Sequence, residues 1–220
     1  MKLSPLALMA GFAIPGLRRP ALSRGQALTE AALARVPRGI APVFNQADLT
    51  PLSNFPINAY LTEDPGVDPN DWKLSVEGAV ANPGDYRLAD LRALPKYEQI
   101  TRHVCIEGWA VIGSFGGARL RDLLAKAGMD PAARFVEVEC ADDYYESIDI
   151  ACALHPQTLL CYEMYGQPLT PAHGAPLRLQ MPTKLGYKQA KHLVTLRVST
   201  VLGRKRGYWV DQGYPWFGGI

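Results

Sequence analysis

The 220-residue chain lacks the cysteine and glycine patterns that mark several common redox and nucleotide enzymes. Its four cysteines include neither a C-x-x-C pair nor a C-x-x-C-H motif, which excludes a thioredoxin-like dithiol and an attached c-type haem. The glycine-rich stretch "GSFGG" at 113–117 has the spacing of neither a P-loop nor a dinucleotide fingerprint. No apolar run is long enough to cross a bilayer. We therefore expect neither a nucleotide cofactor nor a transmembrane helix.

The chain also has no large excess of charge of either sign. A net charge of +2, with 20% charged residues, leaves no clustered basic face for nucleic acid. Residues 1–38 hold six basic residues and one acid, so residues 39–220 are mildly acidic. We interpret residues 1–38 as a basic N-terminal arm that is either solvated or a targeting segment. An apolar run after Lys2, and the pair Arg18-Arg19, have the outline of export signals, but neither motif is complete.

Residues 39–220 are predicted to form one α+β domain with short helices and many loops. Residues 39–70 are rich in proline, asparagine and aspartate, which is typical of an extended segment that wraps a core. Alternating apolar residues predict strands in "WKLSVEG", "RFVEVEC", "LRLQMP" and "LVTLRVSTVL". In "GARLRDLLAKAGMDP", apolar residues at i, i+3, i+4 and i+7 predict a helix that ends at Gly128.

The stretch "RHVCIEGW" surrounds a lone thiol with charged and aromatic neighbours. Arg102 and His103 precede Cys105, and cationic neighbours lower the pKa of a thiol and hold it as the reactive thiolate. Three interpretations follow: a nucleophile paired with a distant histidine, a thiolate ligand of a metal, or an inert core cysteine. The other cysteines lie at strand or core positions, where we expect free buried thiols.

A second dense stretch, "YGQPLTPAHGAPLRLQMPTKLGYKQAKHL", concentrates donors for an anion. It offers a histidine, a guanidinium, an ammonium and exposed backbone amides, at His173, Arg178 and Gly186-Tyr187-Lys188. Its three prolines suit a rigid cradle more than a mobile lid. The alternative is a polar turn with a solvated basic rim.

Taken together, "RHVCIEGW" and the later "HGAPLRLQMPTKLGYKQAKHL" resemble the molybdopterin-binding domain of the sulfite oxidase superfamily. The resemblance runs from Trp72 to Ile220 and is strongest to the bacterial periplasmic methionine sulfoxide reductase catalytic subunits and their uncharacterised relatives. The elements C-x-E-x-W and G-A-P-x-R-L…G-Y-K carry it jointly. It implies a single domain of mixed sheets and a molybdenum-dependent oxidoreductase.

The resemblance makes Cys105 the single protein ligand to molybdenum, beside the two dithiolene sulfurs of one molybdopterin in its mononucleotide-free form. It places Arg102, Glu107 and Tyr145 near the metal, with Tyr144 as the alternative to Tyr145. The cofactor-binding residues that it implies are Asn54, Asn58, Cys140, His173, Arg178, Gly186, Tyr187 and Lys188. Close relatives often carry threonine at the position of Cys140 and asparagine at that of His173.

The implied reaction is a two-electron oxygen-atom transfer that reduces a sulfoxide or a similar S- or N-oxide, as a small molecule or as oxidised methionine in proteins. The alternatives are sulfite-type oxidation at the same centre, a cofactor-binding protein without turnover, and a cysteine-nucleophile hydrolase. Because the chain has no haem motif, we expect electrons from a separate protein, a membrane cytochrome or a soluble haem protein. The resemblance implies a periplasmic location, with a cytoplasmic one as the alternative.

Overall fold

Two five-stranded sheets carry the fold in the computed structural model, which describes residues 39–220. The strands are β1 (Lys73–Gly78), β2 (Gly84–Arg87), β3 (Lys96–Val104), β4 (Ala110–Arg119), β5 (Phe135–Cys140), β6 (Tyr145–Asp149), β7 (Leu159–Met164), β8 (Gln167–Pro168), β9 (Arg178–Gln180) and β10 (Leu193–Ser199). The α-helices are α1 (Leu88–Arg92), α2 (Leu120–Lys126), α3 (Ile150–Ala153) and α4 (Tyr208–Asp211). Four 3-10 turns lie at Gln46–Asp48, Leu52–Asn54, Pro171–His173 and Gly186–Lys188. The predicted basic arm and export motifs lie outside the described residues.

The first sheet has the order β2-β1-β10-β5-β6. Its central pair, β1 and β10, is parallel, whereas the other pairs are antiparallel. Alternation in β1 directs Leu74 and Val76 into the main core, where both are fully buried. A mixed sheet with few helices confirms the predicted α+β class.

The second sheet has the order β3-β4-β7-β8, and β9 pairs with β7. Strands β3 and β4 form a long antiparallel hairpin, in register from Lys96↔Ala118 to Val104↔Ala110. The sequence analysis assigned no strand to β3, because its apolar residues are too sparse to form a period of two. This hairpin matters for the site, since its turn carries Cys105.

Helix α2 packs its apolar face on the main core, as the spacing predicted. Leu120, Leu123 and Leu124 are fully buried, and each contributes about 2 kcal/mol of hydrophobic stabilisation. Gly128 follows the helix with φ +69°, the left-handed conformation expected of a C-terminal cap.

The segment 39–70 runs across the second sheet with little regular structure. Thr50 donates its N–H to the carbonyl of Ile112 (3.0 Å), and Tyr165 Oη donates to the carbonyl of Thr50 (2.6 Å). These contacts bring residues 55–60 beside the β3–β4 turn. Among residues 39–220, no helix has the length and apolar character that a bilayer crossing requires.

Candidate active site

A cavity of about 400 Å³ lies where the β3–β4 turn, the loop after β9 and residues 55–60 meet. Its lining comprises 55–60, His103, 105–107, Trp109, Asp142, Tyr144, Ala172, His173, Arg178, Gly186, Tyr187, 189–191 and Trp209. The two stretches that the sequence analysis singled out, far apart in the chain, therefore line the same cavity.

Cys105 occupies the first position of the turn that joins β3 to β4. Its backbone N–H donates to the carbonyl of Trp109 (2.9 Å), and the N–H of Gly108 donates to the carbonyl of Cys105 (3.3 Å). Gly108 has φ +93°, a conformation that strains residues with a Cβ atom, so glycine completes the turn. The thiol is free and faces the cavity.

The charges around Cys105 differ from the sequence-based expectation. Successive side chains of β3 point to opposite faces, so Arg102 turns away and lies 5.6 Å from the ring centroid of Phe44. His103 lines the cavity, but burial and the charge of Arg178 lower its pKa to about 3, which leaves the imidazole neutral. Burial, together with the negative charge of Glu107, raises the pKa of the Cys105 thiol.

The expectation that cationic neighbours hold Cys105 as a thiolate was therefore wrong for the protein alone. The residues described, 39–220, also place no histidine within hydrogen-bonding distance of Cys105 Sγ, which disfavours a Cys–His nucleophile. A metal cation would supply the positive charge that the protein does not.

Asn58 and Trp109 hold Glu107 beside the thiol. Asn58 Nδ2 lies 3.6 Å from Cys105 Sγ and 3.1 Å from Glu107 Oε2. Trp109 Nε1 donates to the same carboxylate oxygen at 3.0 Å. Hydrogen bonds from Trp109 and Asn58 lower the pKa of Glu107, so its side chain is a carboxylate at neutral pH.

Arg178, on β9, is a buried cation that forms no ion pair with any residue of 39–220. Its Nη1 donates to the carbonyl of His173 (3.1 Å), while its Nε has no hydrogen-bond partner in the described part of the chain. Burial lowers its pKa to about 10. Lys191 lies in the same wall, and burial with the nearby Arg178 charge lowers its pKa to about 8. Two desolvated cations favour an anion in this part of the cavity.

The loop after β9 presents Gly186 and Tyr187 to the cavity but turns Lys188 away. A Cβ atom on Gly186 would lie 2.9 Å from His103 Nε2, so only glycine allows this close approach. Lys188 Nζ donates to Glu146 Oε1 (2.5 Å) and to the carbonyl of Ser147 (2.8 Å), and both partners are buried. Lys188 therefore anchors the loop from behind.

The tail, residues 213–220, packs against the outer side of this loop. Tyr187 Oη donates to the carbonyl of Pro215 (2.6 Å), and Leu185 donates its N–H to the carbonyl of Gly218 (2.8 Å). Trp216 is buried and donates its Nε1–H to Ser147 Oγ (2.8 Å). The tail thus braces the loop that lines the cavity.

Several residues from the sequence analysis lie outside the cavity lining. Asn54 is exposed in a 3-10 turn, whereas Asn58 faces the thiol. Cys140 is buried at the end of β5. Tyr145 donates to Asp211 Oδ2 (2.8 Å) away from the cavity, whereas Tyr144 lines it.

Sequence reasoning gave no site role to several polar lining residues, among them His103, Gln189 and Lys191. His103 was considered only as a charge near Cys105, although the alternation of a strand places both on one face. Gln189 lies 3.3 Å from His103 Nδ1 and donates to the carbonyl of Lys184 (2.8 Å), so it ties the β9 loop to β3. Lys191 stood in the quoted basic stretch without an assigned role.

The lining fits the molybdenum–pterin group that the resemblance implies. Within residues 39–220, no set of three or more histidine, cysteine or acidic side chains could hold a metal, so only a ligand that brings its own donors would complete a site on Cys105. The orphaned Nε of buried Arg178 suits an anionic phosphate.

Comparisons with known proteins agree with this fit. The oxidoreductase molybdopterin binding domain family matches residues 61–209. A protein of Azospira oryzae, named provisionally as the protein-methionine-sulfoxide reductase subunit YedZ1, is 44% identical over 83% of this chain and 69% of its own length. The protein-methionine-sulfoxide reductase catalytic subunits MsrP of Ralstonia nicotianae and Burkholderia mallei are 34% and 32% identical over 59% and 73% of this chain.

The alignments cover 44% and 56% of these two MsrP proteins, about half of their length. Among solved structures, the sulfane dehydrogenase SoxCD from Paracoccus pantotrophus matches with a TM-score of 0.58 over 63% of this chain and 41% of that one. At 22% identity, this likeness shows the fold alone. Because the family match spans Cys105, Arg178 and the Gly186 loop, the chain belongs to the oxidoreductase molybdopterin binding domain family of the sulfite oxidase superfamily.

Proposed function

We propose that this protein is a molybdenum-dependent reductase of sulfoxides or similar S- and N-oxides, supplied with electrons by a separate redox protein. The observation that carries the proposal is a single thiol, Cys105, facing a cavity whose lining also holds the buried cation Arg178, which has no ion-pair partner in residues 39–220. The overall reaction balances as sulfoxide, two protons and two electrons giving thioether and water. The names of the relatives support reduction as the direction.

In this proposal, Cys105 holds molybdenum as a thiolate, and Arg178 and Lys191 receive the phosphate of a mononucleotide-free molybdopterin. His173, Gly186, Tyr187 and Gln189 contact the remainder of that group. When bound, the group supplies two-electron oxygen-atom transfer and exchanges electrons one at a time.

The residues around the thiol have roles of their own. Cys105 Sγ must release its proton before it binds a metal, and its raised pKa ties loading to proton release. The Nδ2–H of Asn58, directed at Sγ from 3.6 Å, then stabilises the thiolate, and Glu107 fixes the orientation of that amide. Of the remaining residues of the sequence analysis, Lys188 anchors a lining loop from outside the cavity. The others lie outside the lining and have no role in this proposal: Arg102, Asn54, Cys140 and Tyr145.

A periplasmic location and a haem-protein electron donor complete the proposal. Both follow from the family resemblance. Fractionation of the native host, with detection of the tagged protein, tests the location.

The decisive experiment measures molybdenum and pterin per protein after expression in a host that makes the cofactor. Wild type should contain about one molybdenum and one pterin, and it should reduce methyl phenyl sulfoxide with a reduced viologen dye. Cys105→Ser should lose turnover and alter the metal spectrum. Cys152→Ala, which removes a buried thiol of α3 outside the lining, is the matched control. Wild type purified from a competent host without metal and pterin would reject the proposal. Wild type that contains the cofactor but reduces no sulfoxide would instead support the alternative of a cofactor-binding protein without turnover.

A further inference from the structure

The charged side chains of the lining form two groups. Arg178 Nη1 and Lys191 Nζ donate to the carbonyls of His173 (3.1 Å) and of the residue before it (2.8 Å), so the two cations lie together and form what we call the cationic end of the cavity. Glu107 lies beside Cys105, because one amide nitrogen, Asn58 Nδ2, is 3.1 Å from Glu107 Oε2 and 3.6 Å from Cys105 Sγ. We call this second group the thiol end.

Glu107 cannot easily turn away from the thiol end. Its Oε2 accepts hydrogen bonds from Trp109 Nε1 (3.0 Å) and from Asn58 Nδ2 (3.1 Å). Asp142 lies in the same lining and adds negative charge, partly balanced by Lys191. Just outside, Asp143 acts on the lining residue Tyr60. Of these carboxylates, Glu107 is the one held beside the thiol, so an anion that approached Cys105 Sγ would meet its negative charge at close range.

Three large apolar side chains lie in the exposed part of the lining. Ile57, Ile106 and Trp209 line the cavity and still expose 44%, 42% and 39% of their surface. Large apolar side chains that stay exposed at a concave site are typical of a surface that binds an apolar ligand group. An aromatic or thioether substituent of a substrate would cover them.

We propose that the thiol end of the cavity selects an uncharged or cationic oxide that carries an apolar substituent and rejects anions such as sulfite, with Glu107 as the specificity-determining residue. This inference rests on the proposed function, because it concerns the substrate of that same site. The cationic end serves the cofactor phosphate and is covered when the cofactor is bound.

The expected size of the discrimination follows from Coulomb's law. Two like charges several ångströms apart at a partly exposed site repel enough to weaken binding by about tenfold. Salt screens such a charge, so the discrimination should shrink between 20 mM and 500 mM salt.

The test uses three sulfones that match in shape and cannot give up an oxygen under the assay conditions. They are methyl phenyl sulfone, its 4-carboxylate and its 4-aminomethyl derivative. Calorimetric titration of the cofactor-loaded wild type should give a Kd for the carboxylate about tenfold higher than those for the other two. In the cofactor-free protein, where Arg178 and Lys191 are uncovered, the carboxylate should lose this disadvantage.

Two variants assign the effect to one residue. In Glu107→Gln the amide oxygen can still accept from Trp109 and Asn58, so the charge is removed with the geometry kept; the gap should fall to about threefold or less. Glu98→Gln removes an exposed charge at the far end of β3, where Glu98 pairs with Lys96, and should leave the gap unchanged.

Each result decides the proposal. Equal affinity of loaded wild type for the carboxylate and the neutral sulfone overturns it, as does the absence of binding by all three. If the ratio of the Kd values for the carboxylate and the neutral sulfone is unchanged in loaded Glu107→Gln, Glu107 is not the determinant. If that variant does not bind the cofactor, the order of the three Kd values in wild type and its dependence on salt decide whether the thiol end rejects anions. Failure of the proposed function is a separate result: the loaded protein would then reduce neither methyl phenyl sulfoxide nor its 4-carboxylate.

Discussion

Lys188 and Glu146 form an ion pair inside the protein, with Nζ 2.5 Å from Oε1 and both side chains shielded from solvent. Burial raises the pKa of Glu146 to about 7 and lowers that of Lys188. The pair fixes the backbone that follows Gly186 and Tyr187, so a structural contact behind the cavity sets the position of two lining residues. Its main consequence is for stability.

Lys188→Met should destabilise the protein by about 3 kcal/mol at pH 8, because it leaves the carboxylate of Glu146 buried without its partner. The loss should be smaller at pH 5.5, since a carboxyl with a raised pKa takes up a proton as the pH falls below that pKa. Urea unfolding at both pH values measures this. The double variant Lys188→Met/Glu146→Leu should recover much of the loss, and a single variant as stable as wild type would contradict the assignment.

Arg178→Met should separate stability from cofactor retention. In the cofactor-free protein we expect a change of about 1 kcal/mol or less, because the lost hydrogen bond to His173 is offset by removal of an unpaired buried charge. The same variant should purify with little molybdenum or pterin. Arg197→Met, at an exposed pair with Glu77, is the control that should load normally. Full pterin content in Arg178→Met would remove Arg178 from the cofactor site.

His173→Asn should flatten the dependence of stability on pH. Burial and Arg178 lower the pKa of His173 to about 4, below its ordinary 6.5. Between these values the unfolded chain binds a proton that the folded protein does not. Lowering the pH through this range therefore decreases the free energy of unfolding, by up to about 1.4 kcal/mol per pH unit. The asparagine variant lacks this contribution. Chemical unfolding of cofactor-free protein from pH 7 to pH 4.5 measures both slopes, and parallel curves would show that His173 is not neutral in the folded state.

Tyr187→Phe should loosen the cavity loop without unfolding the domain. The change removes the hydrogen bond from Oη to the carbonyl of Pro215, at a cost of about 1 kcal/mol. Amide hydrogen exchange should accelerate within 184–189 and within the tail. Tyr145→Phe, which removes a comparable bond to Asp211 outside the lining, should leave that loop unchanged. Acceleration spread evenly over both sheets would instead indicate a general loss of stability.

Four of the strands, β1, β5, β9 and β10, and the lone thiol were predictable because their signals are local. Alternation in "WKLSVEG" identified β1, and the resemblance around Cys105 identified the family. The same alternation, applied to β3, would have separated His103 from Arg102, but the sparse apolar residues of that strand concealed it.

Other features depend on contacts that no local pattern contains. Lys188 looks like an anion-binding residue in sequence, whereas its partner Glu146 lies 42 residues earlier and is recognisable only in the fold. Burial and the Glu107 carboxylate reversed the expected effect on Cys105, because Arg102 points away from the thiol and the buried imidazole of His103 is neutral. Tyr144 and Tyr145 are equivalent in sequence, and only the direction of the turn before β6 separates them.

The tail reaches back to a loop about thirty residues earlier in the chain, and this has a consequence for the order of assembly. During synthesis, residues 55–191 leave the ribosome before Pro215, Trp216 and Gly218 can brace Tyr187. The cavity wall is thus incomplete for that interval. We therefore expect the cofactor to bind only after the tail has been translated. Packing of the tail against the cavity loop would then be the last step in forming the cofactor-loaded protein.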